Sequence, residues 1–159
     1  MKRDKRLYPL SWDHHELLLY ADRVRMALVN EHPAYRESLE EILRKSMNFW
    51  EGVMKGHLKA EKEILFPALT QCDDGFRESL ALLSRNFEAL QTLYSEITAE
   101  PGRPDLKDQL IRFSELITHH VRYEERELFP KVQITLPDAQ FNRVGSDLQA
   151  RLPRACRQR

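Results

Sequence analysis

The chain has 159 residues, with 25 acidic and 25 basic side chains and a formal net charge of zero. That length allows one domain with a buried core, and the charge balance argues against a protein dedicated to nucleic acid or to membrane surfaces. No apolar run approaches the length of a membrane span, and the N-terminal Met-Lys-Arg-Asp-Lys-Arg lacks the apolar core of a signal peptide.

The composition favours an all-helical fold. The chain has only five glycines and is rich in the helix-forming residues Leu, Glu, Arg and Ala. Its two cysteines, Cys72 and Cys156, do not form a CxxC motif, so we expect free thiols rather than a disulfide. Free thiols are typical of a reducing compartment, and we therefore expect a cytoplasmic protein.

The first predicted helix follows Pro9 and has Ser11 as its N-cap. Its apolar residues recur at helical spacing, and they are Leu17, Leu18, Ala21, Val24 and Leu28. His14 is in phase with this stripe and is predicted to point inward, whereas His15 lies on the flank of the stripe. Adjacent residues on a helix differ by only about 100° of rotation, so both histidines remain candidates for an inward ligand.

The second predicted helix is long and covers roughly residues 34–66, after a break at Pro33. Pro67 is expected to end it, because the proline ring disfavours a helical residue before it. His32 is expected to be an exposed loop residue. The inner face of this helix is predicted to contain Leu39, Ile42 or Leu43, Ser46, Trp50, Val53, His57, Glu61, Ile64 and Leu65.

Two further amphipathic helices are predicted over about 76–98 and 105–129. The inward stripe of the third helix is Leu80, Leu83, Phe87, Leu90, Tyr94 and Ile97. The stripe of the fourth helix is Leu110, Phe113, Ile117, His120, Glu124 and Leu128. His119 lies one residue off the fourth stripe and is expected at the surface. A short closing helix can start at Pro137-Asp138, and the Arg-rich tail after Pro153 is expected to be disordered.

Four amphipathic helices with short connections predict an all-α, up-down-up-down four-helix bundle with a short C-terminal helix. We expect a single domain over residues 1–159. The bundle is expected over about residues 11–130, followed by a C-terminal extension over residues 131–159.

One eleven-residue motif occurs twice, 63 residues apart. The first copy is His57-Leu-Lys-Ala-Glu61-Lys-Glu-Ile-Leu-Phe-Pro67, and the second is His120-Val-Arg-Tyr-Glu124-Glu-Arg-Glu-Leu-Phe-Pro130. Residues four apart share a helical face, so each copy projects an imidazole beside a carboxylate. Two such helices facing each other would bring two His and two Glu together, as in the di-iron carboxylate sites of helical bundles.

The alternative for either copy alone is a surface i,i+4 pair, and for His14 alone it is a core histidine with one hydrogen bond. Both copies lie in phase with apolar stripes, however, and two carboxylates in a core would be costly without a cation. Carboxylate and imidazole ligands suit Fe, Mn or Zn, and the absence of thiolates argues against a structural zinc site. We therefore predict a metal site.

These motifs, together with Ser-Trp-Asp-His14-His15-Glu in the first helix, resemble the bacterial hemerythrin-like (HHE cation-binding) domain over roughly residues 8–150. The resemblance implies a bundle with a non-haem di-iron centre, in which each HxxxE helix gives one terminal His and one bridging carboxylate. The ligands that it implies are His14 or His15, His57, Glu61, His120 and Glu124.

The sequence departs from the family at one position of the third helix. The family carries a His before an x-Ala-Leu run, and here Phe87 stands in that place, in phase with the core. Tyr94 is about 10 Å away along the axis, and Glu88 would need a local rotation to reach the site. Three His and two Glu therefore remain, one metal is expected to have fewer protein ligands, and a mononuclear Fe, Mn or Zn site stays open.

The resemblance implies a protein that binds or senses O2, NO or peroxide. A small diatomic molecule is the expected partner, nucleic acid and membranes are not, and a homodimer is left open. No general acid, nucleophile or substrate cleft is visible, so turnover is not implied, although the resemblance permits iron donation or peroxide reduction. The competing interpretation is a non-catalytic regulatory or interaction module with a mononuclear or lost metal site.

Overall fold

A computed structural model describes residues 2–152, which are helical and contain no strand. We label five helices: α1 (Tyr8–Leu28), α2 (residues 39–72), α3 (Arg77–Ala99), α4 (residues 106–135) and α5 (Asp138–Arg151). Four long helices and a shorter fifth confirm the all-α prediction, while the up-down order of the bundle stays a prediction. No described helix is long and apolar enough to cross a membrane. Cys156 and the Arg-rich tail lie outside the described residues.

Helices α2 and α4 each continue through several segments, because their hydrogen-bond pattern changes along the axis. In α2 the π-helical turns are Trp50–Met54 and Glu61–Leu65, and the α-helical segments are Leu39–Phe49, Lys55–Ala60 and Phe66–Cys72. In α4 a single π-helical turn, Glu124–Leu128, separates the α-helical segments Leu106–Tyr123 and Phe129–Thr135. The repeated motif therefore carries a π turn at the same place in both helices.

The prediction that Pro67 ends the second helix is wrong, and the fourth helix also continues beyond the predicted end at residue 129. The Phe66 N–H donates to the Glu61 carbonyl, and the Phe129 N–H donates to the Glu124 carbonyl, so each turn holds one extra residue. Each proline then lies in the first turn of a new α-helical segment, where its missing N–H and fixed φ are tolerated.

The predicted starts of the first two helices also need correction. Helix α1 begins at Tyr8, after a 3-10 turn over Lys5–Leu7, so Ser11 lies inside the helix and does not cap it. Helix α2 begins at Leu39, because Ser38 accepts a hydrogen bond from the Glu41 N–H and acts as the N-cap.

The apolar core consists of two clusters of buried side chains. The first, the terminal cluster, comprises Leu7, Leu10, Ala60, Leu65, Phe66, Leu69, Phe76, Leu83, Leu128, Phe129, Val132, Leu136, Phe141, Val144, Leu148 and Leu152. The second, the distal cluster, comprises Leu17, Ala21, Val24, Leu28, Ile42, Leu43, Trp50, Met54, Leu90, Leu93, Ile97, Leu106, Leu110, Phe113, Ile117 and Val121. His14 lies between Leu10 and Leu17, and His57 lies between Met54 and Ala60. The predicted ligands are therefore at the junction of the two clusters.

The N-terminal segment, residues 2–7, packs closely on α5. A Cβ atom on Gly145 would lie 2.8 Å from Arg6 Cβ and 3.2 Å from Arg6 Cα, so this approach requires glycine. The Arg6 guanidinium lies 3.7 Å from the centre of the Phe141 ring and pairs with Asp138 at 3.0 Å. Because backbone atoms of the segment meet the helix here, little adjustment is available.

We predict that Gly145→Ala destabilises the protein by about 1–3 kcal/mol, since the added methyl group forces backbone and Arg6 atoms apart. Gly56→Ala is the control: nothing lies within 4 Å of its added Cβ, and alanine in a helix is favoured by about 0.5–1 kcal/mol. Urea unfolding of both variants measures the difference. Equal stability of the two variants would contradict the close packing of the N-terminal segment on α5.

Candidate metal centre

Five predicted ligands meet inside the bundle, and they are His14, His57, Glu61, His120 and Glu124. The exposure of His14 is 3%, and that of the other four side chains is zero. One ligand atom from each of His14, His57, Glu61 and Glu124 lies within 4.8 Å of the others. His120 Nε2 belongs to the same group, because it lies 3.3 Å from Glu61 Oε2 and 3.5 Å from Glu124 Oε2. Helices α1, α2 and α4 therefore supply one compact set of nitrogen and oxygen atoms.

The other histidines lie outside this group. His15 and His119 are exposed although each is adjacent to a buried histidine, as the helical phase predicts. Of the two candidates in the first helix, only His14 reaches the buried set. His32 is also exposed, and its ring caps a short turn by accepting a hydrogen bond from the Ala34 N–H.

Glu125 is a functional candidate that sequence reasoning missed. Its Oε1 lies 2.6 Å from His14 Nδ1, and His14 Nε2 lies 3.0 Å from Glu124 Oε2. A carboxylate at Nδ1 fixes the ring so that Nε2 faces the buried group. Burial raises the pKa of Glu125, but the hydrogen bond and charge of His14 outweigh burial and lower the pKa to about 2. The sequence contains one indication of this role. The two copies of the motif differ in charge at this position, which is Glu125 in the second copy and Lys62 in the first.

Asp13 is a second missed residue, and it supports His57. Its side chain is fully buried, and its Oδ2 lies 3.4 Å from His57 Nδ1. His57 Nε2 then lies 2.9 Å from Glu61 Oε1. A carboxylate beside the Nδ1 atom is the usual arrangement of histidine ligands, because it sets the tautomer and strengthens the donor nitrogen. At His14 this contact is a hydrogen bond, and at His57 it is a longer ion pair.

The buried group fits a cation. Within this group, five potential ligand atoms have no hydrogen-bond partner, namely Nε2 of His57, Nε2 of His120, Oε1 and Oε2 of Glu61, and Oε1 of Glu124. These atoms lie close to one another but do not form hydrogen bonds, and leaving buried polar atoms unpaired in an apolar core is costly. A metal ion would accept these lone pairs, and the mixed imidazole and carboxylate set suits Fe, Mn or Zn.

The ionisation of the two carboxylates supports the same conclusion. Burial and the negative charge of Glu61 raise the pKa of Glu124 above its ordinary value. Burial acts in the same direction on Glu61, but the charges of His57 and His120 outweigh it and hold the pKa of Glu61 well below its usual range. The two carboxylates therefore compete for ionisation, and a bound cation is what would allow both to be negative together.

The third helix contributes carbon atoms to this site. The half-buried ring of Phe87 lies 5.4 Å from the His120 ring and 5.4 Å from the Phe66 ring, centre to centre. Phe87 therefore borders the site as the apolar stripe predicts. Glu88 is exposed, and Tyr94 stacks on Trp50 with ring centres 4.3 Å apart.

The fold and the site together define a helical metal-binding domain with histidine and glutamate donors. The hemerythrin HHE cation-binding domain family matches residues 10–132, and the chain belongs to this family. Family membership implies binding of a metal such as iron, and the buried His/Glu group fits it.

The chain is also 25% identical over 97 residues to a DNA nickase from Nostoc sp. (strain PCC 7120 / SAG 25.82 / UTEX 2576), covering 61% of this chain and 27% of the nickase. The chain therefore spans little more than a quarter of that relative's length. No solved structure matches.

We predict that His57→Ala and His120→Ala each lower metal affinity by more than about tenfold, because each removes a donor nitrogen from the buried group. His119→Ala and His32→Ala are the matched controls and are expected to retain the metal, since both side chains are exposed. Elemental analysis after equilibration with a competing chelator measures the loss. Equal losses in the His119 and His120 variants would show that the buried face of α4 does not hold the metal.

Proposed function

We propose that this site holds two non-haem irons and binds or senses a small diatomic molecule, O2 or NO, or peroxide. In this proposal His14, His57 and His120 would be terminal ligands, and Glu61 and Glu124 would be carboxylate ligands shared by the two irons. The supporting observation is that Glu61 lies between imidazoles from two helices, 2.9 Å from His57 Nε2 and 3.3 Å from His120 Nε2. A carboxylate shared by donors from facing helices is the arrangement of di-iron bundles.

Glu124 has the same relation to a second pair of imidazoles. Its Oε2 lies 3.0 Å from His14 Nε2 and 3.5 Å from His120 Nε2. The two carboxylates thus link rings that come from α1, α2 and α4. Bound iron would supply the redox-active centre that takes the diatomic ligand. The chain supplies the donors, orients two of them through Asp13 and Glu125, and keeps water away by complete burial of the carboxylates.

The border at Phe87 favours a small uncharged ligand. A phenyl ring lies beside His120 where the family places an imidazole, so a metal held at that corner would have one protein donor fewer. The phenyl ring presents carbon, and no hydrogen-bonding group, to this side of His120. Apolar walls accept O2 or NO at little cost, whereas peroxide would leave its hydroxyl groups unpaired there.

The nickase likeness does not lead us to propose nicking, because it covers only 27% of that protein. The zero net charge argues against a nucleic-acid partner. The proposal includes neither a membrane partner nor an enzymatic reaction. We keep a cytoplasmic location, in which Cys72 would stay a thiol. A homodimer, a mononuclear Fe, Mn or Zn site, and a regulatory module without metal remain the alternatives.

Metal analysis combined with an optical spectrum of aerobically purified protein tests the proposal. Two irons per chain with ligand-to-metal charge-transfer bands, altered on addition of NO, are the expected result. One metal per chain would favour the mononuclear alternative. Absence of metal after loading with Fe(II), Mn(II) and Zn(II) would contradict metal binding and favour the regulatory module.

Metal removal should lower the thermal stability, because a cation compensates Glu61 and Glu124 in the core. For a metal present at about 100 times its dissociation constant the loss is about 2.7 kcal/mol, or about 5–10 °C in melting temperature for a chain of this size. Calorimetry before and after chelation, with metal content verified, measures the change. An unchanged melting temperature would show that protein cations or solvent already compensate the two carboxylates.

Phe87→His should add the missing donor, since the ring already borders His120. We expect a higher affinity for the weaker iron, little change for the stronger one, and some loss of stability from lost apolar packing. An anaerobic Fe(II) titration gives the stoichiometry and both affinities. Phe49→His is the matched control, because Phe49 is another half-buried ring, stacked on Tyr20. Two equally tight irons in the unmodified protein, with no gain in Phe87→His, would contradict the asymmetric site.

A further inference from the structure

The N-terminal segment contacts the π turn of α4 immediately beside the buried group. We propose that Arg3 is a positioning residue for the metal site: it holds the Glu125 carboxylate against His14. This inference rests on the proposed function, in which His14 is a ligand. It goes beyond that function because it assigns a role to a segment that contributes no ligand.

The first step is the contact between Glu125 and His14. Glu125 Oε1 accepts hydrogen bonds from His14 Nδ1 at 2.6 Å and from the Ser11 hydroxyl at 2.8 Å. An imidazole that binds a metal through Nε2 carries its proton on Nδ1 and needs a fixed acceptor there. The orientation of His14 therefore depends on where the Glu125 carboxylate is held.

The second step is the contact between Arg3 and Glu125. The Glu125 side chain is 32% exposed, so burial alone does not fix it. Arg3 Nη2 donates to Glu125 Oε2 at 2.5 Å and to the Glu125 carbonyl oxygen at 2.8 Å. When a guanidinium binds both the side chain and the backbone carbonyl of one residue, it restricts the rotamer of that residue.

The π turn explains why this carbonyl is open to a side-chain donor. In a continuous α-helix the Phe129 N–H would bond to Glu125, but here it donates to the Glu124 carbonyl. The residue five positions after Glu125 is Pro130, which has no N–H. The π turn and the proline of the motif thus leave the Glu125 carbonyl oxygen free to accept a side-chain hydrogen bond, and Arg3 donates that bond.

Further contacts place Arg3 along α4. Its Nη1 donates to Gln133 Oε1 at 2.9 Å, and Gln133 Nε2 donates to the Lys2 carbonyl at 3.0 Å. The Arg3 guanidinium also lies 4.8 Å from the centre of the Phe129 ring, which stacks on His14 with ring centres 5.4 Å apart. Arg3 therefore supports His14 both through a carboxylate and through an aromatic ring.

Arg6 provides a matched control in the same segment. It binds Asp4, Asp138 and Asn142, and its guanidinium lies over Phe141 on α5. Both arginines anchor the N-terminal segment, but of the two only Arg3 contacts Glu125. A purely structural role of the segment predicts similar effects of both substitutions on metal binding, whereas positioning predicts an effect of Arg3 alone.

The test compares Arg3→Ala, Arg3→Lys and Arg6→Ala with the unmodified protein in two measurements. Fe(II) affinity is determined by competition with a chelator, and the Nδ1–H of His14 is followed by 1H–15N NMR in the Zn(II)-loaded protein. We expect Arg3→Ala to lower Fe(II) affinity about tenfold and to speed exchange of the Nδ1–H with water. Arg3→Lys keeps the charge but lacks the planar fork, so an intermediate effect is expected. Arg6→Ala should lower stability and leave both metal readouts unchanged.

Equal losses of affinity in Arg3→Ala and Arg6→Ala would overturn the proposal, and so would an unchanged Nδ1–H and affinity in Arg3→Ala. If Arg3→Ala does not fold, the same criteria apply to Arg3→Lys. Failure of the proposed function has a different signature. In that case the unmodified protein takes up no metal, and the His14 Nδ1–H measured in the metal-free protein decides whether Arg3 holds Glu125 against the ring.

Discussion

The burial of two carboxylates at the junction of two apolar clusters is the constraint on which this structure depends. Glu61 and Glu124 have no exposure, and they face each other's charge in a region that offers little water. Such an arrangement is stable only where positive charge or a cation is present. The three imidazoles beside them, together with a bound cation, would meet this requirement. The packing of the core around these two carboxylates therefore depends on how their charge is compensated.

The π turns at Glu61 and Glu124 connect the site to the rest of the fold. Each adds one residue to a turn, so the helix passes through a proline instead of ending, and the following segment contributes Phe66 or Phe129 to the terminal cluster. π turns often occur at functional sites because they change the direction of side chains locally. Here they also leave a carbonyl without its usual donor, and an arginine from the N-terminal segment uses it.

The helical period was sufficient to predict which face of each helix is buried. It separated His120 from His119, because apolar neighbours at 3.6-residue spacing identify the buried face, and it favoured His14 while leaving His15 as a candidate. The same pattern did not reveal the helix extension through Pro67, because that extension depends on a shift of one backbone hydrogen bond. The Phe66 N–H donates to the Glu61 carbonyl, and Pro67 then lies in the first turn of a new α-helical segment. Asp13 and Glu125 were missed for another reason: their partners are on other helices, and only packing brings them together.

The contact between His14 and Glu125 joins residues 111 positions apart in the chain, and this separation governs how the site is assembled. During synthesis α1 emerges before α4, so the carboxylate that orients its histidine is made 111 residues later. Chains are made at about 5–20 residues per second, so α1 waits for seconds before its partners exist. The buried group, which draws on α1, α2 and α4, is therefore complete only once α4 has been made.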